Sequence, residues 1–390
     1  MDYDPEGRSD QEETLIKLEN VSKTYTDGTE AVKDLAMEIS EGEFCVFLGP
    51  SGCGKTTSMK MINRLIPLTS GKISIDGVDT MKLDTNELRR GIGYAIQNIG
   101  LFPHQTVEEN ICTVPRLLKW PKPKQHARAQ ELLHLVGMDP DIFLRRYPSE
   151  LSGGQQQRVG VARCLGADPP ILLMDEPFGA IDPITRGRLQ DEFLKIQAKI
   201  KKTIAFVTHD INEAIKMGDT IALMREGVLA QYADPAELLR APKDEFVRDF
   251  IGADRVLKGL RLLRAKNVMK KPPFLVNVGE DPMQVKRRME EAGLRWSMLV
   301  ESGDHFLGWI TCEDLDPSRL IRDVITPPSV TATPDTPINE ALSLMLSSAI
   351  GTLAILDDDK RLVGVLSFDV IRDVLSEDVG LEPPCEKVST

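Results

Sequence analysis

The segment Gly49-Pro-Ser-Gly-Cys-Gly-Lys55-Thr56 constrains this chain more than any other part of it. It follows an apolar run, Phe44-Cys-Val-Phe-Leu48, and opens a stretch patterned for a helix from Thr56 to Leu65. Glycines let consecutive backbone N–H groups turn inward around an anion, and a helix N-terminus adds a favourable dipole. The pattern G-x-x-x-x-G-K-[ST], with a strand before it and a helix after it, is that of a loop that wraps a polyphosphate. Gly49, Pro50, Ser51, Gly52, Cys53, Gly54, Lys55, Thr56 and Thr57 are therefore the expected nucleotide-binding residues. Lys55 is placed to reach the β- and γ-phosphates, and Thr56 to ligate Mg2+.

The surroundings agree with such a loop. Ile171-Leu-Leu-Met174 and Thr203-Ile-Ala-Phe-Val-Thr208 read as further apolar strands, separated by helical stretches at Lys124–Val136, Gln155–Leu165 and Thr185–Ile200. Continuous apolar strands alternating with helices indicate a largely parallel sheet covered on both faces. The strand at Ile171 ends in two acids, Asp175 and Glu176. Ligands of open α/β sheets bind at the C-terminal ends of strands, and adjacent strand residues point opposite ways. Asp175 is thus the natural Mg2+ partner, and Glu176 is placed to polarise a water as general base. In Leu151-Ser-Gly-Gly-Gln155, Ser152 can cap the following helix while the glycines expose N–H groups to an anion.

Composition narrows the class. The 48 basic and 60 acidic residues give a net charge of −12, which argues against a protein that coats nucleic acid. No run approaches the ~18 apolar residues of a membrane-spanning helix, and the acidic N-terminus does not read as a secretory signal. Six cysteines without CxxC pairing fit reduced thiols, so a soluble intracellular chain is expected. At 390 residues, two or three domains are expected. The last third contains two similar segments offset by roughly 55 residues, as a repeated supersecondary unit would be. One runs from Glu280-Asp-Pro282 to Gly308-Trp-Ile-Thr311 and Asp314, the other from Asp335-Thr-Pro337 to Gly364-Val-Leu-Ser367 and Asp369. Each reads as helix, strand, acidic turn, strand, helix.

Taken in this order, the motifs of residues 14–250 resemble the nucleotide-binding subunit of ABC transporters. The resemblance implies an α/β fold: a P-loop NTPase cassette with a RecA-like core sheet, an antiparallel β subdomain and a helical subdomain. It implies that Tyr25 stacks on adenine and that His209 holds the γ-phosphate. Gln97 would sense Mg2+ and the attacking water, and link to the membrane subunit. It further implies a head-to-tail dimer with a second copy of the chain, two ATP molecules lying between the copies. Ser152, Gly153, Gly154 and Gln155 would then meet the partner's nucleotide, and the Asp182 turn would cross to the partner. One departure is visible: the family usually has serine where Gly179 stands.

The Q-loop run Gln97-Asn-Ile-Gly-Leu-Phe-Pro-His104 and the helix Met59-Lys-Met-Ile-Asn-Arg-Leu65 resemble those of osmoprotectant importers of glycine betaine, choline and carnitine. Residues 268–375 resemble a tandem CBS pair, about 268–320 and 321–375, the usual appendage of that branch. Such pairs often hold an adenine nucleotide or a cyclic dinucleotide. Gly308, Thr311 and Asp314 keep the spacing suited to ribose and phosphate, whereas Asp369 of the second repeat comes one residue early. The resemblance implies two permease subunits, an extracytoplasmic substrate-binding protein, no nucleic acid, and a peripheral place on the cytoplasmic face of the membrane. An importer of another solute, or a non-transport ABC ATPase with a nucleotide-sensing CBS module, are the alternatives. Residues 1–13 and 376–390 are expected as tails. Residues 251–267 are expected as a basic linker, with Arg255, Lys258, Arg261 and Arg264 in one cationic stripe along a helix.

Overall fold

The computed structural model describes residues 14–379, apart from 97–99, 180, 273, 302–303 and 349–350. The expectations for Gln97 and for residues 1–13 and 380–390 lie outside the described residues. The chain divides into two compact units, Met1–Ile251 and Gly252–Thr390.

The first unit is built on a six-stranded sheet. Its order is Val228–Ala233, Thr220–Arg225, Phe44–Leu48, Thr203–Val207, Ile171–Asp175, Ile92–Ala95. All neighbours are parallel except the first pair. Every residue of Phe44–Leu48, Ile171–Asp175 and Thr203–Val207 is buried, which is why these strands carry no alternation. The strands that bear the phosphate loop, the paired acids and the histidine are adjacent, so their C-terminal ends open onto one edge.

A second, antiparallel sheet has the order Glu30–Ser40, Thr14–Thr24, Ser70–Ile75, Val78–Asp79. Ile16, Leu18, Leu35 and Ile39 from it share a core with Phe47, Met59, Ile62 and Leu173. A helical part follows, with helices Val107–Ile111, Lys122–Leu135 and Gly153–Cys164. The α/β fold and its three expected parts are present.

The second unit contains the two repeats. The first pairs strands Leu275–Asn277, Trp296–Glu301 and His305–Thr311 with the helix Pro282–Glu291. The second pairs Thr352–Leu356 with Leu362–Ser367, between helices Ile338–Ser347 and Phe368–Val379. Each repeat has its own core, and Met298, Val300, Phe306, Ala354, Leu362 and Val365 form a third core joining them.

Three local readings change. The first repeat lacks its expected closing α-helix: Pro317 follows Thr311 too closely, and Asp316 instead closes a turn by accepting from the Ser318 N–H at 2.7 Å. The last helix continues to Val379, into the segment expected as tail. The basic segment is not one helix; it forms Arg255–Gly259 and Ala265–Val268, with Leu260 and Ala265 buried in the second repeat's core. Lys258 is buried and paired with Asp254, so the cationic stripe is broken at its second member.

Candidate functional site

The phosphate loop is shaped by glycines that no other residue replaces. Gly49, Gly52 and Gly54 have φ of 141°, 80° and 105°. A Cβ on Gly49 would lie 2.2 Å from the Met224 carbonyl oxygen, and one on Gly54 would lie 2.4 Å from that of Ala31. Lys55 opens the helix Lys55–Ile62 and is only 5% exposed. Its ammonium donates to the carbonyls of Gly49 (2.7 Å) and Pro50 (2.8 Å) and lies 3.7 Å from Cys53 Sγ. Tyr25 directly follows the strand Thr14–Thr24, 39% exposed, with its hydroxyl 3.4 Å from Thr57 Oγ1 and Lys23 over its ring at 5.2 Å.

One residue farther into the helix, Thr56 Oγ1 donates to Asp175 Oδ1 at 2.7 Å. Burial pushes the Asp175 carboxyl up, and the Thr56 hydrogen bond and Lys60 pull it back. A hydroxyl and a carboxylate at this separation suit Mg2+, which is bound through one or two protein oxygens plus substrate phosphates.

Glu176 turns away from Asp175 by a left-handed backbone at φ 45°, which costs a non-glycine residue about 1 kcal/mol or more. Its N–H still donates to Val207 O at 3.0 Å, so the strand's ladder runs on through the kink. Its Oε1 lies 3.1 Å from His209 Nδ1. Gly179 packs beneath: a Cβ there would sit 3.6 Å from Glu176 Oε2, an ordinary contact, so a serine in this position would abut the acid.

Ser152 caps the helix Gly153–Cys164 in a reciprocal box. Gln155 N–H donates to Ser152 Oγ at 3.4 Å, and Ser152 N–H to Gln155 Oε1 at 2.9 Å. Ser152 and Gly153 are exposed, leaving the helix start accessible. Asp182, also exposed, caps the helix Pro183–Ile200 through Thr185 N at 3.0 Å. The structure thus brings together Lys55, Thr56, Asp175, Glu176 and His209, with Tyr25 beside the loop. It leaves Ser152–Gln155 and Asp182 on separate exposed helix starts.

Several residues with structural parts in this site were not singled out by the sequence. Gln157 donates to the carbonyl of Pro177, directly after the paired acids. Glu213, 7% exposed, accepts from Thr208 Oγ1 at 2.6 Å and from Gln190 Nε2 at 2.9 Å. Burial pushes its carboxyl above the ordinary range, and the Thr208 hydrogen bond pulls the other way. The one available signal was the i, i+4 pair Arg186 and Gln190, polar residues on one face of a helix.

The profile of the ABC transporter family matches residues 32–179, and that of the CBS domain matches 265–316 and 321–377. The chain is 44% identical over 370 residues to the glycine betaine/carnitine/choline transport ATP-binding protein OpuCA of Bacillus subtilis, covering 94% of this chain and 97% of that one. It is 45% identical over 368 residues to the osmoprotectant import ATP-binding protein OsmV of Salmonella typhimurium, covering 93% and 96%. Among solved structures, it is similar to the dimeric post-hydrolysis state of the ATP-binding cassette MJ0796 bound to ADP and Pi. There the TM-score is 0.51 and the identity 37%, over 56% of this chain and 98% of that one.

Proposed function

The chain belongs to the ABC transporters, as an ATP-binding subunit of the osmoprotectant importers with a C-terminal CBS pair, and on that premise we propose how its residues act. It is an ATPase coupled to transport; it uses ATP with Mg2+, dimerises and works with permease subunits. No helix among the described residues is long and apolar enough to cross a membrane. In this reading the chain is peripheral to the membrane, at the cytoplasmic face, and the two permease subunits receive the solute from an extracytoplasmic binding protein.

Lys55 binds the β- and γ-phosphates, exchanging its two loop carbonyls for phosphate oxygens. Thr56 and Asp175 hold Mg2+, which when bound neutralises phosphate charge. Glu176 takes the proton of the attacking water. His209, 3.1 Å from Glu176, keeps that carboxylate oriented and reaches the γ-phosphate. Tyr25 stacks on adenine, and Gln97 links water and metal to the membrane subunit. Ser152, Gly153, Gly154 and Gln155 of one copy complete the phosphate site of the other, beside the Asp182 turn. The observation that carries this reading is the 3.1 Å Glu176–His209 pair, borne after two neighbouring strands, one of which lies next to the strand feeding a glycine-built loop.

The transported solute is a quaternary amine such as glycine betaine, choline or carnitine. Support comes from identity to such importers' subunits that spans both the cassette and the CBS pair. The CBS pair holds an adenine nucleotide or cyclic dinucleotide in its first repeat, where Thr311 Oγ1 donates to Asp314 Oδ2 and a Cβ on Gly308 would meet Thr326 O at 2.4 Å. The test is uptake in proteoliposomes holding this chain and its permease subunits, with labelled quaternary amines against a sugar and an amino acid. ATP-driven uptake of the amines alone is expected; uptake of the others alone would overturn the assignment.

A further inference from the structure

The hydrogen-bond network around Glu213 reaches two loops that the mechanism above treats separately. Thr208 Oγ1 donates to Glu213 Oε2 at 2.6 Å and accepts from the Asp210 N–H at 3.0 Å. The residues on both sides of His209 are therefore tied to one buried hydroxyl, and that hydroxyl is tied to one carboxylate. Thr208 N–H also donates to Phe47 O at 3.1 Å, on the strand that feeds the phosphate loop.

On its other side the same carboxylate reaches the helix that starts at Asp182. Gln190 Nε2 donates to Glu213 Oε1 at 2.9 Å, and Arg186 Nε lies 3.9 Å from that oxygen. Arg186 Nη2 in turn donates to the carbonyl of Ile181 at 3.0 Å, immediately before the exposed Asp182. Thr208, Glu213 and Gln190 are 2%, 7% and 5% exposed. Buried carboxylates are costly unless fully paired, and this one is paired with Thr208 from one loop and with Gln190 and Arg186 from one helix face.

Packing alone does not require that arrangement. The helices Pro183–Ile200 and Ile211–Met217 are already joined by Lys216, whose Nζ donates to Gly187 O at 3.2 Å and pairs with Asp191 at 2.7 Å. We propose that Glu213 is a positioning residue coupling the Ile181–Asp182 turn to His209, so that the histidine is placed only when the turn is. A shift of the turn pulls Arg186 and Gln190 against the carboxylate, which moves the Thr208 hydroxyl and the His209 backbone it pins. Glu213 acts through Thr208, from whose hydroxyl it accepts at 2.6 Å.

This inference rests on the assignment of His209 to the γ-phosphate, and its test separates the two. ATPase activity is measured on the full chain with its permease subunits in proteoliposomes, for Glu213→Gln, Thr208→Val, their double variant, His209→Ala and Lys216→Ala. Glu213→Gln and Thr208→Val should each lower kcat about tenfold while the KM for ATP stays within about twofold, as expected when a reacting group is misplaced. The double variant should be no slower than the worse single one, because both break one chain of bonds. Lys216→Ala should keep kcat, since it loosens the helix pair without touching Thr208. Full turnover in Glu213→Gln, losses that multiply, or an equal loss in Lys216→Ala would overturn the proposal. Full turnover in His209→Ala would instead overturn the reading beneath it. Should Glu213→Gln not fold, Thr208→Val carries the same comparison, since it removes only the hydroxyl.

Discussion

Replacing Glu176 by glutamine isolates proton transfer from everything else this residue does. The left-handed backbone at φ 45° strains Glu and Gln alike, so that cost cancels between them. The backbone N–H keeps its 3.0 Å bond to Val207 O, and an amide oxygen can still accept from His209 Nδ1 where the carboxylate stands at 3.1 Å. What is lost is a group able to take a proton, a loss of ~100-fold or more in kcat, or about 2.7 kcal/mol of barrier. Nucleotide binding should not suffer. Glu176 is one of the charges that push the Asp175 carboxyl up, so its neutralisation favours the ionised Asp175 that Mg2+ needs. The assay is paired: phosphate release under saturating Mg-ATP, and equilibrium binding of a fluorescent ATP analogue. Turnover within tenfold of the parent refutes the base assignment. A fall in affinity matching the fall in rate refutes the claim that the change is confined to proton transfer.

Gly49→Ala should abolish nucleotide binding and cost roughly 3 kcal/mol or more of stability by combining backbone strain with overpacking. Its Cβ would meet a backbone oxygen at 2.2 Å, and parental melting with retained ATP affinity would refute this. Tyr25→Ala removes a 39%-exposed ring, so thermal stability should hold while the KM for ATP rises about five- to tenfold from lost stacking; an unchanged KM would remove Tyr25 from the adenine site. Burial pushes the Cys45 thiol up to about 12 and those of Cys112 and Cys164 up to about 11. Since the thiolate is the reactive form, native chain at pH 8 should alkylate at these three far more slowly than denatured chain. Mass-mapped labelling at equal rates in both states would contradict that.

The phosphate loop was legible because its chemistry is local: glycines, lysine and threonine act within one turn, so their spacing carries the geometry. Asp175 was legible as the end of an apolar strand; Glu176 does diverge from it, but through a left-handed backbone at φ 45° just past the strand rather than by the strand alternation the sequence suggested. The Glu213 network was not, because its partners Arg186, Gln190 and Thr208 are scattered along the chain and side chains of those types are ordinarily solvated. The basic segment failed differently. Its every-third-residue charges do fit a helix, but Gly259 weakens one, and burying Leu260 and Ala265 in the second repeat outweighs local propensity. In the same way Pro317 overrode the repeat symmetry that predicted a closing helix after Thr311.

Each charged group at the site is already answered from within the chain. Lys55 is held by the Gly49 and Pro50 carbonyls, Asp175 by Thr56, Glu176 by His209 and Glu213 by Thr208 and Gln190. A nucleotide gains Lys55 only by breaking two hydrogen bonds at 2.7 and 2.8 Å, and a cation at Asp175 would have to replace the hydrogen bond that Thr56 Oγ1 donates to it at 2.7 Å. Affinity is therefore a difference between two satisfied states, not the sum of the contacts made. On the proposed dimer, a second helix N-terminus meeting the same phosphates would add to that difference. In the reading proposed above, the exposed Ser152 helix start would supply it from another copy. On that proposal dimer closure and tight nucleotide binding become one equilibrium, and a change that weakens the cap at Ser152 should weaken both in step.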